Sequence, residues 1–253
     1  MSVSAVVVSH GHARDLETLV PALARQVDDL VVVANMPGSA PSGLPPRVRL
    51  LENARPLRLA ENINLGIAAT AGEWVLFSNP DVLPQPDAVE ALVGFGSTRP
   101  RCGIAGPRTE WPDGRWQPTR RSFPTVGGTV VRRTPLRRLF PPLERQRSHY
   151  HLDEDVAEPL EADWLLGAFL LLRREMLVEL GGFDEGYRHY VEDIDLCYRA
   201  MRAGWERWYV PAARVTHDWA QVTDKAFVSR NSYWHARSMA RFVRKHPETL
   251  ARL

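Results

Sequence analysis

The sequence predicts an α/β protein in which helices flank a mostly parallel central sheet and a helical segment follows at the C-terminus. Short apolar runs alternate with amphipathic helical patterns through residues 1–107, and the alternation resumes after residue 160. Alternating strands and helices are typical of parallel sheets that carry helices on both faces. A long basic helical pattern at 229–246 lies near the end of the chain.

The elements of the first half are predicted from apolar runs and helical periodicity. Runs rich in Val and Leu predict the strands, and Leu16, Leu19, Val20 and Leu23 share one face of the first helix. Gly72 is a plausible stop for the second helix. The predicted strands are 3–8, 30–33, 48–51 and 74–77, and the predicted helices are 15–26, 60–71 and one beginning at 86.

The second half gives a similar pattern after a long irregular stretch. Residues 108–155 are rich in Pro and Arg and weak in periodicity, so we expect a long loop there with at most one short helix. Gly181-Gly182 and Gly204 follow helical patterns as stop signals. The predicted elements are strands at 168–172 and 208–210 and helices at 174–180, 192–203 and 229–246.

Composition narrows the class of protein. The 253 residues include 44% hydrophobic and 25% charged residues, as in a globular domain, and the formal net charge of +2 gives no reason to expect a nucleic-acid partner. The two cysteines are far apart in the sequence, and one pair in a chain of this size does not form a disulfide framework. No apolar run approaches the roughly 20 residues that a membrane span needs. Eight arginines and no lysine lie between Arg120 and Arg147, which indicates either a solvated surface segment or a phosphate-binding patch.

Three places carry residues suited to chemistry. Asp81 follows the strand 74–77, where parallel sheets bind ligands, and a carboxylate there can hold a hard cation, although Asn-Pro-Asp is also a common simple turn. Glu192, Asp193 and Asp195 open a helix, where they serve either the helix dipole or general-base chemistry. His217 is a metal ligand only if it lies near Asp81. No Walker or G-x-G-x-x-G pattern occurs, and a sugar nucleotidyltransferase is disfavoured because residues 9–13 lack a glycine-rich loop.

The order of these segments resembles the family 2 glycosyltransferases of the GT-A fold, and bacterial rhamnosyltransferases in particular. The spacing of Gly-Gly-Phe-Asp-Glu and Glu-Asp-Ile-Asp-Leu is the most specific part of a similarity that covers roughly residues 3–246. The matching segments are 4–10, 64–67, 77–84, 163–168, 173–175, 181–185, 192–196, 203–205, 210–212 and 215–217.

The resemblance implies a role for each matching residue. Asp193 would be the catalytic base with Glu192 assisting it, and Asp81 with His217 would bind Mg²⁺ or Mn²⁺ on the donor diphosphate. Trp164, Gly167 and Glu192 would contact the acceptor. Ala34 and Arg58 depart from the family pattern, which leaves recognition of the donor base open. The residues expected to bind the nucleotide-sugar are Ser9, His10, Asn35, Arg58, Asn64, Asn79 and Asp81.

The resemblance also implies an activity and a domain plan. We expect an inverting transfer of L-rhamnose from dTDP-rhamnose to a glycan, lipid-linked or small-molecule acceptor in cell-wall or surface glycan synthesis. The alternatives are a galactofuranosyl- or hexosyltransferase using a UDP-sugar, and a non-catalytic nucleotide- or glycan-binding homologue. We expect a cytoplasmic protein, with peripheral contact at the inner face of the plasma membrane and a homodimer as open alternatives. The expected units are a catalytic domain 1–228, divided into 1–107, an Arg/Pro-rich insert 108–159 and 160–228, and a C-terminal helix 229–253.

Overall fold

A computed structural model describes residues 1–39, 41–124, 155–218 and 230–252. Within these ranges the helices are α1 (Ala13–Ala24), α2 (Leu59–Ala68), α3 (Ala88–Ser97), α4 (Arg174–Leu180), α5 (Glu192–Arg202) and α6 (Arg230–Lys245), with a 3₁₀ helix at Pro247–Arg252. The strands are β1 (Val3–Ser9), β2 (Asp29–Ala34), β3 (Val48–Glu52), β4 (Trp74–Ser78), β5 (Val82–Pro84), β6 (Cys102–Glu110), β7 (Trp116–Gln117), β8 (Arg120–Arg121), β9 (Leu160–Glu161), β10 (Trp164–Leu165), β11 (Phe169–Arg173) and β12 (Glu206–His217).

The main sheet has the strand order β3-β2-β1-β4-β11-β6-β12-β5. Strands β1 to β4 run parallel to their neighbours in this group, as do β6 and β12. Strand β11 lies between β4 and β6 and runs antiparallel to both, and β5 runs antiparallel to β12. The predicted mostly parallel sheet is therefore confirmed, with an antiparallel strand at its centre.

Helices cover both faces of the sheet because successive apolar residues of each strand point to opposite sides. On one face Val6 and Val8 pack with residues of α2, α5 and α6. On the other face Ala5 and Val7 pack with residues of α1 and α3. These two apolar cores fix where the carboxyl ends of the central strands lie.

The predicted loop at 108–159 is wrong for the part that the structure describes. Strand β6 continues to Glu110, β7 forms a hairpin with it, and β8 pairs with β10. The rest of the arginine-rich segment, residues 125–154, lies outside the described residues. Strand β12 is also longer than the predicted 208–210, since it continues past Pro211 through an irregularity between Val210 and Arg214 and ends at His217.

Helix α6 packs on α5 and on the loop that precedes it. Ser238 and Phe242 are buried, and the Phe242 ring meets the Tyr198 ring of α5 with centroids 5.4 Å apart. Lys245 forms ion pairs with Asp184 and Asp195 at 2.7 and 2.9 Å. Among the described residues, no helix combines the length and apolar character that crossing a bilayer requires.

Candidate active site

The candidate site lies where parallel strands β1, β2 and β4 end at one edge of the sheet. Ser9, Ala34 and Ser78 are the last residues of these strands. The turn Asn79–Asp81 follows β4 directly, and β5 then pairs with the end of β12. The sheet therefore brings the turn and His217 together although they are far apart in sequence.

Asp81 and His217 face each other at this edge. The Asp81 Oδ2 and His217 Nε2 atoms are 3.5 Å apart, and the Asp81 side chain is 29% exposed while that of His217 is 3% exposed. The Asp218 N–H also donates to the Asp81 carbonyl oxygen at 3.1 Å, which ties the end of β12 to the turn. The predicted proximity of these two residues is what the structure shows.

Gln117 sets the orientation of His217. Its Oε1 lies 2.9 Å from His217 Nδ1, and because an amide oxygen can only accept, the two form a hydrogen bond when Nδ1 carries the proton. The Nε2 lone pair then faces Asp81. Metal-binding histidines commonly use their second ring nitrogen in this way. Gln117 was not predicted as a site residue, because its segment has no periodic pattern in the sequence. Its place beside His217 depends on the pairing of β7 with β6.

A carboxylate and a neutral imidazole suit a divalent cation such as Mn²⁺. Within the described residues, no group of three or more His, Cys, Asp or Glu side chains could hold a metal ion. The Asp81–His217 pair could supply two ligands to a cation that takes its other ligands from diphosphate oxygens and water, as Mg²⁺ at phosphate sites usually does.

The second part of the site is the amino end of α5. Tyr190 and Val191 precede the helix with φ angles of 68° and 75°, in the left-handed region that a β-branched residue rarely adopts. This backbone turns the chain sharply, so that Glu192 and Asp193 begin the helix on its inner side. Strained backbone of this kind is typical of functional sites.

The Asp193 carboxylate is held by two backbone N–H groups. Gly167 N donates to Oδ2 at 3.0 Å, and Ile194 N donates to Oδ1 at 2.9 Å. Burial nevertheless raises the pKa of Asp193 above its ordinary value, against these hydrogen bonds and the charge of Arg121. A side chain at position 167 would collide with this carboxyl group, since an added Cβ would lie 3.0 Å from the Asp193 Cβ.

Glu192 is buried beside Asp193, with 7% of its surface exposed. Its Oε2 atom has no hydrogen-bond partner in the described structure. Burial, and next the charge of Asp193, raise the pKa of Glu192 to about 8. The two adjacent carboxyl groups therefore differ in environment, and Glu192 is protonated at neutral pH.

The two parts of the site meet at the start of β11. The Asn79 N–H donates to the Ala168 carbonyl oxygen at 2.8 Å, and Ser78 pairs with Phe169. Gly167, which holds Asp193, is thus one residue away from the backbone that contacts the Asn79–Asp81 turn. The turn that carries Asp81 and the backbone that holds Asp193 are therefore linked through the neighbouring residues Gly167 and Ala168.

Asn35 belongs to a buried amide network. Its Oδ1 accepts from Leu57 N at 2.7 Å and from Asn53 Nδ2 at 2.9 Å, and its Nδ2 lies 2.9 Å from His10 Nδ1. Asn53 Nδ2 also donates to Asn62 Oδ1 at 2.6 Å. Asn35 therefore shapes the pocket beside the exposed His10, and its amide is committed to internal bonds. Asn53 and Asn62 were missed, although a polar residue inside the apolar pattern of α2 was a usable signal.

Asn64 and Arg58 connect the first half of the chain to the segment before α5. Asn64 exchanges hydrogen bonds with the Phe183 backbone at 2.8 and 2.9 Å, and Arg58 donates to the Glu185 carbonyl oxygen at 2.8 Å. The exposed Arg58 stays available to a ligand, whereas the Asn64 amide is fully engaged. Both residues position the Gly-Gly-Phe-Asp-Glu segment.

Trp164, which was expected to contact the acceptor, is buried in the fold. It is 3% exposed, and its Nε1 donates to the Ser122 carbonyl oxygen at 2.8 Å. The Arg121 guanidinium lies 4.9 Å from the Trp164 ring centroid. A sugar ring could stack on Trp164, as expected from the sequence, only if Arg121 moved. Arg121 itself, buried and acting on Asp193, is a further candidate acceptor contact.

Comparison with known proteins agrees with this geometry. The family model "Glycosyltransferase like family 2" matches residues 2–237. The chain belongs to this glycosyltransferase family. The N-acetylglucosaminyl-diphospho-decaprenol L-rhamnosyltransferase of Mycobacterium tuberculosis is 34% identical over 242 residues, which cover 87% of this chain and 77% of that protein. Rhamnosyltransferase WbbL of Escherichia coli (strain K12) is 39% identical over 90 residues, covering 36% of this chain and 34% of that protein.

Solved structures confirm the predicted GT-A fold. GalNAc-T7, crystallised with UDP, GalNAc and Mn²⁺, superposes with a TM-score of 0.65 at 16% identity. The match covers 96% of this chain but only 48% of that chain, so this family member corresponds to about half of the GalNAc-T7 chain.

Proposed function

We propose that this transferase is a divalent-cation-dependent, inverting rhamnosyltransferase. It would move L-rhamnose from dTDP-β-L-rhamnose to a hydroxyl of a lipid-diphosphate-linked glycan used in cell-wall synthesis. The observation that carries the proposal is the backbone link through Gly167 and Ala168 between the turn of the Asp81–His217 pair and the Asp193 carboxylate. The 34% identity to an enzyme named as a rhamnosyltransferase on a lipid-diphosphate acceptor supports the choice of donor and acceptor.

Asp193 is the proposed base. Each of its carboxylate oxygens accepts one backbone hydrogen bond and keeps a lone pair for a further proton. The attacking acceptor hydroxyl would give its proton to Asp193 as the oxygen bonds to the anomeric carbon from the side opposite the nucleotide. A raised pKa makes this carboxylate a stronger base. Displacement in a single step inverts the anomeric centre, so a β-L-rhamnosyl donor gives an α-L-rhamnoside.

Glu192 has a supporting role in this scheme. With a pKa of about 8 it carries its proton at neutral pH and donates a hydrogen bond. Its buried, unpartnered Oε2 lies beside the base and is placed to orient the acceptor hydroxyl. Keeping Glu192 neutral also spares Asp193 a second negative charge in a buried site.

Asp81 and His217 would hold the cation, which neutralises charge on the departing nucleoside diphosphate when it is bound. Gln117 keeps the imidazole in the tautomer that this requires. Ser9 is buried and its Oγ accepts from His12 N at 3.1 Å, so the exposed His10 and Arg58 are the proposed contacts of the nucleotide. Because Ala34 stands where the family usually has an Asp that contacts the base, selection between dTDP and UDP must rest on other groups.

Donor choice is tested by supplying dTDP-rhamnose, UDP-galactofuranose and UDP-hexoses with Mn²⁺ or Mg²⁺ and measuring released nucleoside diphosphate. We expect dTDP-rhamnose to be turned over fastest and the product to be an α-L-rhamnoside by NMR. Absence of turnover with every donor, or a β-linked product, would contradict the proposal.

Cation binding is tested without turnover by thermal unfolding in the presence of dTDP with and without Mn²⁺. The wild-type protein should gain about 2.7 kcal/mol at a ligand concentration of about 100 times the dissociation constant. Asp81→Asn and His217→Ala should lose the Mn²⁺-dependent part of this gain. The exposed Asp87→Asn serves as the control and should keep it. A full Mn²⁺ effect in both site variants would contradict the assignment.

A further inference from the structure

A basic cavity lies between α6 and the loop 184–190 that precedes α5. It encloses about 350 Å³ and is open to the surface. Its wall combines arginines with one tryptophan and small residues. The lining residues are Gly186, Arg188, Trp234, Arg237, Ser238, Ala240, Arg241 and Arg244.

Among the residues that the structure describes, few carboxylates compensate the positive charge of this cavity. Arg241 donates to Asp184 at 3.0 Å, and Asp184 is also paired with Lys245. No carboxylate among the described residues forms an ion pair with Arg188, Arg237 or Arg244, all three of which are exposed. Helix α6 itself contains no Asp or Glu. Like charges gathered around a concave surface repel one another and attract an anion.

Individual donors converge on the cavity. The Nε atom of Arg241 is buried without a hydrogen-bond partner. Arg241 reaches this position because residue 186 is glycine, since any Cβ there would collide with its guanidinium. The Arg188 guanidinium lies 4.1 Å from the Trp234 ring centroid, which fixes its plane. Ordered guanidinium groups with unused N–H donors match the oxygens of a phosphate group.

Three of the residues that line the cavity belong to an exposed basic stripe, and the loop that lines it leads into the carboxylates of α5. Arg188 is separated from Glu192 by three residues, and the Tyr190 ring between them packs on His189 and His235. The outward face of α6 carries exposed residues at three- and four-residue spacing, and Tyr233 is 58% exposed. The stripe consists of Arg230, Tyr233, Arg237, Ala240 and Arg244. Basic residues interleaved with an aromatic on one helix face are typical of contact with an anionic lipid surface.

We propose that this cavity binds the phosphate group of a lipid and so holds the active site against a membrane surface. The group is either the headgroup of an anionic phospholipid or the diphosphate of a lipid-linked acceptor. The second source rests on the proposed function, whereas the first does not. In both cases Arg188, Arg237 and Arg244 contact phosphate oxygens while Tyr233 and Trp234 lie at the interface.

Vesicle sedimentation tests the proposal with the full chain. The vesicles contain phosphatidylcholine alone, phosphatidylcholine with phosphatidylglycerol, or phosphatidylcholine with a long-chain prenyl diphosphate. We expect binding to at least one anionic type and little to phosphatidylcholine alone. R237Q/R244Q should weaken this binding roughly 25-fold, because each basic residue near an anionic surface contributes a factor of about five. Binding to phosphatidylglycerol identifies the headgroup, and binding to prenyl diphosphate vesicles alone identifies the acceptor diphosphate.

A matched pair of exposed arginines away from the cavity provides the control. R25Q/R49Q removes the same formal charge from the residue after α1 and from β3, where Arg49 pairs with Asp29, and should bind vesicles like the wild type. Equal weakening by both double variants, an unchanged affinity of R237Q/R244Q, or no binding to either anionic vesicle would overturn the proposal. Slow hydrolysis of the sugar donor in solution should be unaffected by R237Q/R244Q, so failure of vesicle binding is distinguishable from failure of the transferase proposal.

Discussion

At the start of α5, two neighbouring carboxyl groups are set up differently by their surroundings. Asp193 receives backbone hydrogen bonds from Gly167 and Ile194, whereas one oxygen of Glu192 is buried with none. A charged carboxylate without donors is costly in an apolar setting, so Glu192 retains its proton. In the proposed mechanism the pair supplies a base and a neutral hydrogen-bond donor side by side.

Glu192→Gln should change how stability depends on pH. The pKa of Glu192 is raised from 4.5 to about 8 in the fold, so the folded protein keeps a proton that the unfolded chain releases. Stability contributed by this group is therefore full below pH 4.5 and is lost as the pH rises towards 8. Gln cannot ionise, so the variant does not lose this stability. Its free energy of unfolding, relative to that of the wild type, should rise between pH 4.5 and 8 by on the order of a few kcal/mol.

Urea unfolding at a series of pH values measures this difference. Glu175→Gln, at an exposed position in α4, is the control, and its free energy of unfolding should depend on pH in the same way as that of the wild type. A Glu192→Gln profile that also stays parallel between pH 4.5 and 8 would show that Glu192 ionises normally in the fold.

Gly167→Ala should impair catalysis more than stability. The added Cβ would lie 3.0 Å from the Asp193 Cβ and 3.3 Å from its Oδ2, so the carboxylate must shift. Misplacement of a reacting group by about 1 Å can lower kcat roughly 100-fold. In the control Gly94→Ala, the added Cβ meets no atom within 4 Å, and helix α3 should gain about 0.5–1 kcal/mol with unchanged kcat. Similar kcat values for both variants would contradict the role of Gly167.

At the scale of the elements, the three acidic residues at the start of α5 lie in different surroundings. Asp195 points away from the site and is fully buried, where it accepts hydrogen bonds from Tyr187, Arg199 and Lys245 and contacts His246. Burial raises the pKa of Asp195, but Arg199 and its other cationic partners outweigh burial and lower it. The helix dipole alone is thus an incomplete account of the acidic cluster, because each of its three carboxyl groups has its own structural task.

Asp195→Asn should loosen the contact between α5 and α6. Removing the charge leaves Arg199 and Lys245 without their buried partner, which we expect to lower the free energy of unfolding by about 3–5 kcal/mol. Urea unfolding measures the effect. Asp15→Asn, an exposed acid in the first turn of α1, should cost less than about 1 kcal/mol. A comparably small change for Asp195→Asn would contradict its role as the link between the helices.

Periodicity and glycine stops located most elements in the sequence. Helix α4 was predicted with its observed bounds, because Gly181 adopts the left-handed conformation that ends it. Strands β5 and β7 were missed because they are two or three residues long and exist only through pairing with β12 and β6. The amide network of Asn35, Asn53 and Asn62 could be predicted only in part. Asn35 follows a predicted strand, but the contacts that join it to Asn53 and Asn62 depend on side chains that only the fold brings together.

At the scale of the molecule, the main sheet interleaves the two predicted halves of the chain. Strand β11 lies between β4 and β6, and β12 lies between β6 and β5. This arrangement places Gly167 beside Asn79 and His217 beside Asp81. The candidate metal pair is therefore held by this sheet, and the candidate base on α5 is tied to it through Gly167, which is the pre-organisation that an inverting displacement requires.

The most direct test compares wild-type protein with Asp193→Asn in a transfer assay using dTDP-rhamnose, a divalent cation and a lipid-diphosphate-linked acceptor. Asparagine keeps the shape of the side chain but is no base, so kcat should fall by about 10²–10⁴-fold. The dissociation constant for dTDP with Mn²⁺, measured on the same preparation, should stay unchanged. Turnover by Asp193→Asn within a few-fold of the wild type would contradict the assignment of Asp193 as the base.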